Sequence, residues 1–243
     1  MIKSLSIIIP FFNEGDRISE NLYKVKKFLQ KNKTINFEII YVNDGSSDTS
    51  EEKVKEFKKK IKNKKSIIKL LNLRKNLGKG AALKYGVLKA NNTWILTTDI
   101  DLSVSLNQFK NWDKKGYINL QAKEIYFGSR ELKNSVVKTK FYRKVLGSFF
   151  RMFYKFFLNV NLKDTQCGFK LYKKDIAKKI FSSLQSKKFE HDLEIVLLAK
   201  KNNYSIVELP IKWVHKPGSK LHIIFDPIKM FFGIIKIWLK YKF

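Results

Sequence analysis

Along the first hundred residues, short continuous apolar runs alternate with longer blocks whose apolar positions recur at helical spacing. Leu5-Ser6-Ile7-Ile8-Ile9-Pro10 is a short apolar run, predicted as a buried strand that proline stops. From about 16 to 30, Ile18, Leu22, Val25, Phe28 and Leu29 recur at helical spacing. Phe37 to Val42 predicts a second strand, and Asn43-Asp44-Gly45-Ser46-Ser47-Asp48 a polar loop whose Ser47 or Asp48 caps a lysine-rich helix to about 62. Ile67 to Leu73 predicts a third strand, Gly78-Lys79-Gly80 the opening of a helix through about Lys89, and Trp94 onward a fourth strand that runs into Asp99 and Asp101. Four strand–helix alternations predict an α/β fold with a mostly parallel sheet covered on both faces. Ligands of such sheets bind beyond the carboxyl ends of the strands, where Pro10, Asp44, Asp99 and Asp101 fall.

Beyond 101 the alternation breaks down. A helix near 105–115 and a strand at 124–128 lead to Ser129-Arg130-Glu131. Between 140 and 160, Phe141, Val145, Phe149, Met152, Phe153, Phe156 and Val160 stand at helical spacing among Lys140, Arg143, Lys144, Arg151 and Lys155. A helix follows Lys170, another starts near Phe189–Glu194, and Tyr204 to Leu209 is a strand closed by Pro210. The tail from 225 is apolar and aromatic, interrupted by lysines. The expected organisation is one domain over 1–222, with an insert at about 133–163, and a C-terminal amphipathic helix over 223–243.

The chemistry concentrates at Asp99 and Asp101. Alternate residues of an extended strand share a face, so both carboxylates are expected to point together from the strand end. Like charges held close repel, and a divalent cation with oxygen ligands, Mg²⁺ or Mn²⁺, relieves that repulsion. The competing reading is a polar turn with Asp101 capping the next helix. Lys79, near a helix start, either meets a diphosphate or stays solvated in a tight turn; the Walker pattern is absent. His191, His215 and His222 lack zinc-ligand spacing and read as ordinary polar residues.

Composition adds charge. The 243 residues carry 50 Lys and Arg against 21 Asp and Glu, a net +29. Only five are arginines, at 17, 74, 130, 143 and 151, and a planar guanidinium suits phosphate better than an ammonium does. The charge predicts an acidic partner such as anionic lipid or a phosphorylated substrate. Nucleic acid is set aside because no recognised module and no localised arginine patch with interleaved aromatics is present. Cys167 is alone, which is compatible with a reducing compartment. The chain opens almost directly on a strand, no signal peptide is expected, and no apolar run approaches ~18–20 residues.

Seven segments together resemble a known family: Ile9-Pro10-Phe11-Phe12-Asn13-Glu14, Val42 to Asp48, Leu73 to Gly80, Asp99 to Ser103, Phe127 to Arg130, Asp164-Thr165-Gln166-Cys167-Gly168-Phe169-Lys170, and Pro217 to Leu221. The chain resembles the glycosyltransferase family 2 enzymes that use polyprenyl phosphate as acceptor. It is most similar to their dolichyl-phosphate glucosyltransferase branch, with the mannose synthases as cousins. The resemblance implies a Rossmann-like, glycosyltransferase A-type domain that binds a nucleotide sugar, UDP- or GDP-hexose. Pro10, Phe12, Glu14 and Asp44 would line the pocket for base and ribose. Asp101 would hold the metal on the diphosphate, with Asp99 contacting metal, ribose or sugar. Arg130 and Arg143 would face the phosphates of donor and acceptor, with Gln166, Ser219 and Lys220 also contacting the acceptor. The mannose synthases carry a metal-assisting glutamine where this chain has Ser103, so donor identity does not carry over from that branch.

A polyprenyl phosphate oxygen is already anionic at neutral pH and needs alignment rather than a general base. A glycan or protein hydroxyl would need one, and Asp192 or Glu194 is then the candidate. The expected reaction is metal-dependent, inverting transfer of a hexose, glucose from UDP-glucose first and mannose from GDP-mannose as the alternative. The lipid acceptor implies peripheral attachment to the cytoplasmic face of a membrane. Amphipathic interfacial helices at 140–160 and 225–243 suit that attachment, and burial of the same stripes in a core or a dimer contact is the competing reading. Oligomeric state leaves no trace in the sequence.

Overall fold

The computed structural model describes residues 1–15, 17–61, 65–138, 160–188, 190–216, 232–233, 235–237 and 239–241. Its first half follows the predicted alternation: β1 (Ser4–Phe11), α1 (Ile18–Lys31), β2 (Asn36–Asn43), α2 (Ser50–Lys60), β3 (Ser66–Asn72), α3 (Lys79–Leu88) and β4 (Trp94–Thr97). Then come α4 (Gln108–Lys114), β5 (Glu124–Ser129), β6 (Val136–Lys138), β7 (Lys170–Lys173), α5 (Lys174–Ser183), α6 (His191–Lys201), β8 (Ser205–Pro210) and β9 (Lys212–Val214).

Seven strands form one sheet in the order β3-β2-β1-β4-β7-β5-β8. All neighbours run parallel except β7, which is antiparallel to both β4 and β5. β6 and β9 make a separate parallel pair. The sequence pattern missed β7, because four residues between a polar loop and a helix carry too little periodicity to register.

The central strands bury both faces, so period-2 alternation sorts their side chains into two cores rather than into core and surface. Ile7, Ile9, Ile39, Tyr41 and Leu96 face α1, α2 and α4, with Val25, Phe28, Phe57 and Phe109. Ile8, Ile40, Val42, Ile95 and Tyr172 face α3, α5 and α6, with Leu83, Val87, Phe181 and Leu197. Each such side chain, fully buried, contributes about 1.5–3 kcal/mol by removal from water.

Pro10 does not stop β1, which continues to Phe11 in register with β2. The carbonyl of Ile8 accepts from Thr98 N–H on the β4 side, and β4 ends opposite Ile8. Pro10, two residues on, turns its missing N–H to that same side, where the ladder has already ended.

The C-terminal tail is partly described. Its helical residues include buried Ile237, while Lys240 Nζ (2.6 Å) and the Tyr241 hydroxyl (2.7 Å) both bond Glu194 on α6. These residues dock on the domain rather than standing apart from it. The expected segment at 140–160 with Arg143, and the 217–221 loop with Ser219 and Lys220, lie outside the described residues, save Val160. Among the described residues no helix is long and apolar enough to cross a membrane.

Candidate active site

All the parallel strands deliver their carboxyl ends to one edge of the sheet. Because β7 runs the other way between β4 and β5, its beginning reaches the same edge. The loop Asp164–Phe169 that leads into β7 therefore meets the turn after β4 and the residues after β5. A cavity forms there, lined by Asp99, Asp101, Ser103, Arg130, Gln166 and Trp213 among others.

The two aspartates are together in that cavity, but not by strand alternation. β4 ends at Thr97, and both lie in the turn that follows. Leu102 N–H donates to the Asp99 carbonyl (3.2 Å) and Ser103 N–H to Asp101 Oδ1 (2.8 Å). A side-chain acceptor two residues upstream makes an Asx turn, so Asp101 shapes the turn itself instead of capping a helix. Asp99 Oδ1 lies 2.5 Å from Lys79 Nζ at the first position of α3. Lys79 is thus half-buried and ion-paired rather than free in a turn. Burial works against its charge, yet Asp99 and Asp192 outweigh burial and hold its pKa above the ordinary lysine value.

Arg130 closes the opposite wall. Its Nε and Nη2 grip Asp164 through Oδ2 (2.7 Å) and Oδ1 (2.8 Å), and its backbone N–H donates to the same carboxylate (3.0 Å). Burial alone would raise Asp164; the guanidinium overcomes it and holds the carboxyl below its usual range. The fork engages Asp164 through two nitrogens on one edge and fixes where the remaining donors point. Cys167 is buried nearby, and desolvation pushes its thiol up to about 12, which leaves it protonated and unreactive.

The neighbouring loops make the other side of the edge. Asp44 is buried and accepts from Leu77 N–H and Gly78 N–H, each at 2.8 Å, which pins the loop after β3 across the loop after β2. Burial raises its pKa despite those two donors. Gly45, at φ +73, is needed there, since a Cβ would come within 2.5 Å of the Lys75 carbonyl carbon. Asn13 N–H donates to Ser46 Oγ (3.0 Å), Ser47 N–H to Asn13 Oδ1 (2.9 Å) and Gly15 N–H to Asp48 Oδ2 (2.8 Å). The loop carrying Phe12 and Glu14 is thereby laced to the loop carrying Asp44. Glu14 is itself held by Arg17 through Nε (2.8 Å) and Nη2 (2.7 Å).

Asp192 and Glu194 are both buried and paired. Asp192 is buried, ion-paired with Lys170 and 3.3 Å from His191 Nε2, and it is not among the residues lining the cavity. His191 is likewise buried. Glu194 is spent on Lys240, Tyr241 and the backbone N–H of Ser186 (2.6 Å). The charge pattern at the start of α6 could not reveal this, because both partners come from distant segments.

Sequence reasoning placed Asp164 and Lys170 within a family-like segment without giving either a role, and missed Trp213. A lone carboxylate beside Gln166 and Cys167 was the available signal for Asp164; Trp213 on the short β9 had none. Among the described residues no group of three His, Cys, Asp or Glu side chains could hold a metal. The donor set instead suits an ion that keeps waters and takes phosphate oxygens. Asp101 uses only Oδ1 in its turn, and the buried Ser103 hydroxyl beside it has no hydrogen-bond partner among the described residues. Asp99 already has the Lys79 ammonium as its counter-charge.

Comparison with known proteins identifies the family and the fold. The sequence profile described as "Glycosyl transferase family 2" matches residues 6–181. The chain is 34% identical over 248 residues to the dolichyl-phosphate beta-glucosyltransferase of Dictyostelium discoideum, covering 98% of this chain and 74% of that one. It is 32% identical over 254 residues to the protein of the same name from Drosophila melanogaster, covering 98% and 75%. Among solved structures, it superposes with a TM-score of 0.64 on glucosyl-3-phosphoglycerate synthase of Mycobacterium tuberculosis, solved in complex with Mn²⁺, UDP and glucosyl-3-phosphoglycerate. The two are 12% identical, covering 98% of this chain and 80% of that one, and the likeness speaks to the fold.

Proposed function

The chain belongs to glycosyl transferase family 2, and from that premise we propose that it moves glucose from UDP-glucose to a polyprenyl phosphate at a membrane surface, with a divalent cation, and with inversion at the anomeric carbon. The relatives named as dolichyl-phosphate beta-glucosyltransferases support this choice of substrates. The observation that carries the reading is the cavity in which Asp99 and Asp101 face Arg130 at the strand ends.

In this reading Pro10, Phe12, Glu14 and Asp44 receive the base and ribose. Lys79 and Asp99 lie toward the diphosphate, and Asp101 with Ser103 is the place for Mg²⁺ or Mn²⁺. Such an ion, when bound, neutralises charge on the diphosphate. Lys79 adds a fixed positive charge on the same side, kept ionised by Asp99 and Asp192. Arg130, held by Asp164, orients the acceptor phosphate, assisted by Gln166 and by Arg143, Ser219 and Lys220. The acceptor oxygen arrives as an anion, so these residues need only bind, align and exclude water. The engagement of Asp192 and Glu194 in buried pairs favours this acceptor over a hydroxyl, which would require a free base. A basic surface draws the enzyme to anionic lipid on the cytoplasmic face, each well-placed cation adding roughly 1 kcal/mol.

The test is transfer by the purified chain in vesicles containing polyprenyl phosphate, with labelled UDP-glucose, GDP-mannose and UDP-N-acetylglucosamine offered separately. Label should enter the lipid fraction from UDP-glucose and stop on addition of EDTA. Turnover with soluble hydroxyl acceptors and none with lipid phosphate would overturn the acceptor assignment. Transfer from GDP-mannose alone would overturn the donor.

A further inference from the structure

The turn that carries the two aspartates is held from behind by a helix of the nucleotide side. Asn21 on α1 donates its amide N–H to the carbonyl of Ile100, the residue between Asp99 and Asp101, at 2.6 Å. Its amide oxygen accepts from the Tyr41 hydroxyl on β2 at 2.7 Å. Asn21 is 2% exposed and Tyr41 fully buried, and neither lines the cavity. Tyr41 is in turn wedged between Phe11 and Phe57, with ring centroids 6.4 and 6.3 Å away.

An amide on the apolar face of a helix, beside Ile18, Leu22 and Val25, is destabilising unless its polar atoms are paired. Here both ends are used, one on Tyr41 and one on the acidic turn. Lys79 on Asp99 and Val214 N–H on the Ser103 carbonyl (2.9 Å) hold the ends of the turn from outside, and Asn21 holds its middle. β4 has ended, and Leu102 sits at φ +48, a left-handed conformation that costs a leucine about 1–2 kcal/mol. Its own closing bonds are the Leu102 N–H to Asp99 carbonyl contact and the Ser103 N–H to Asp101 contact.

We propose that Asn21, backed by Tyr41, is a positioning residue that ties the Asp99–Asp101 turn to α1. That helix begins straight after the Phe12–Gly15 loop, through Arg17 and its pair with Glu14. One rigid element thus links the loop assigned to the nucleoside with the carboxylates assigned to the diphosphate. The catalytic consequence rests on the function proposed above; the tether does not.

Three variants of the full chain test this. Asn21→Asp keeps size and the acceptor for Tyr41 but removes the N–H that Ile100 receives. Tyr41→Phe removes the backing, and Asn21→Leu reports the cost of losing both bonds. The measurements are amide hydrogen exchange over 98–104 without substrate, Mn²⁺ binding in the presence of UDP by electron paramagnetic resonance, kcat and KM for the donor, and Tm. For Asn21→Asp, exchange should accelerate locally and Mn²⁺ affinity should fall. Because a displacement of the order of an ångström can cost ~100-fold, kcat should drop by about 10- to 100-fold. Tyr41→Phe should show the same pattern more weakly. Wild-type exchange and turnover in Asn21→Asp would overturn the proposal, as would losses that merely track Tm across the three. Faster exchange at 98–104 in Asn21→Asp, with a wild type that uses no sugar nucleotide, would keep the tether and sink the functional reading.

Discussion

The carboxylate of Asp99 rests directly on Gly168: a Cβ built on that glycine would come within 2.4 Å of Asp99 Oδ2. The two residues come from the loop after β4 and the loop before β7, at the same end of that antiparallel pair, and Thr97 Oγ1, donating to the Gly168 carbonyl at 3.0 Å, fixes their approach. A glycine thus serves here to let a backbone lie flat against an acid, with no demand on φ.

Gly168→Ala should therefore displace Asp99 and break its pair with Lys79. The clashing atoms are the end of a side chain that is 42% exposed and can swing aside, so the cost in stability should be small. The larger effect is expected on turnover, since a displaced carboxylate at the reacting end can cost ~100-fold. Sugar transfer measured beside urea denaturation separates the two, with activity falling well beyond the loss of folded protein.

Asp101→Asn retains an oxygen to accept from Ser103 N–H, so the turn and the thermal midpoint should persist. Removing the charge should lower kcat by about 100- to 1,000-fold, the range for losing one electrostatic stabiliser of a leaving group. Mn²⁺ titration should show weakened binding in the variant. Stripping metal from the wild type with EDTA should reproduce its activity and leave folding unchanged.

Arg130→Met should leave the buried Asp164 carboxylate uncompensated. Removing one partner of a buried pair is strongly destabilising; with the Arg130 side chain 32% exposed, about 2 kcal/mol is expected at neutral pH. The sign with pH follows from the lowered pKa of Asp164 in the fold. Its contribution is complete above the ordinary value of 3.8 and is lost as pH falls through the lowered one. Denaturation curves of wild type and variant should therefore separate at neutral pH and converge in acid. Arg130→Lys should restore charge but not the two-nitrogen grip, and with it little acceptor use.

Lys170 and Asp192 are 2% and 5% exposed, with the Lys170 ammonium 4.7 Å from the centre of the Phe127 ring. Asp192→Leu or Lys170→Met alone should cost about 3–5 kcal/mol, while the two together should recover much of it. A double-mutant cycle by chemical denaturation checks this. Independent, additive losses would show that the pair is not coupled.

Much of the architecture was legible before any coordinate. Continuous apolar runs and stripes of period 3.6 gave β1 to β4 and their helices, because both signals are local to each element. The doubly covered parallel sheet followed from their order, and with it the edge where Pro10, Asp44, Asp99 and Asp101 gather. What local pattern could not supply was which distant segments meet. β7, four residues long, enters antiparallel between β4 and β5 and alone brings Gly168 to Asp99 and Asp164 to Arg130. The pairing of Lys79 with Asp99, the burial of Asp192 against Lys170, and the grip of Asn21 on Ile100 also span tens of residues. Such contacts are chosen by packing and by the need to pair every buried charge and amide, conditions that exist only once the chain has folded. The sequence thus determined the strand ends and the acids placed on them; the tertiary structure decided which cations and amides hold those acids in place.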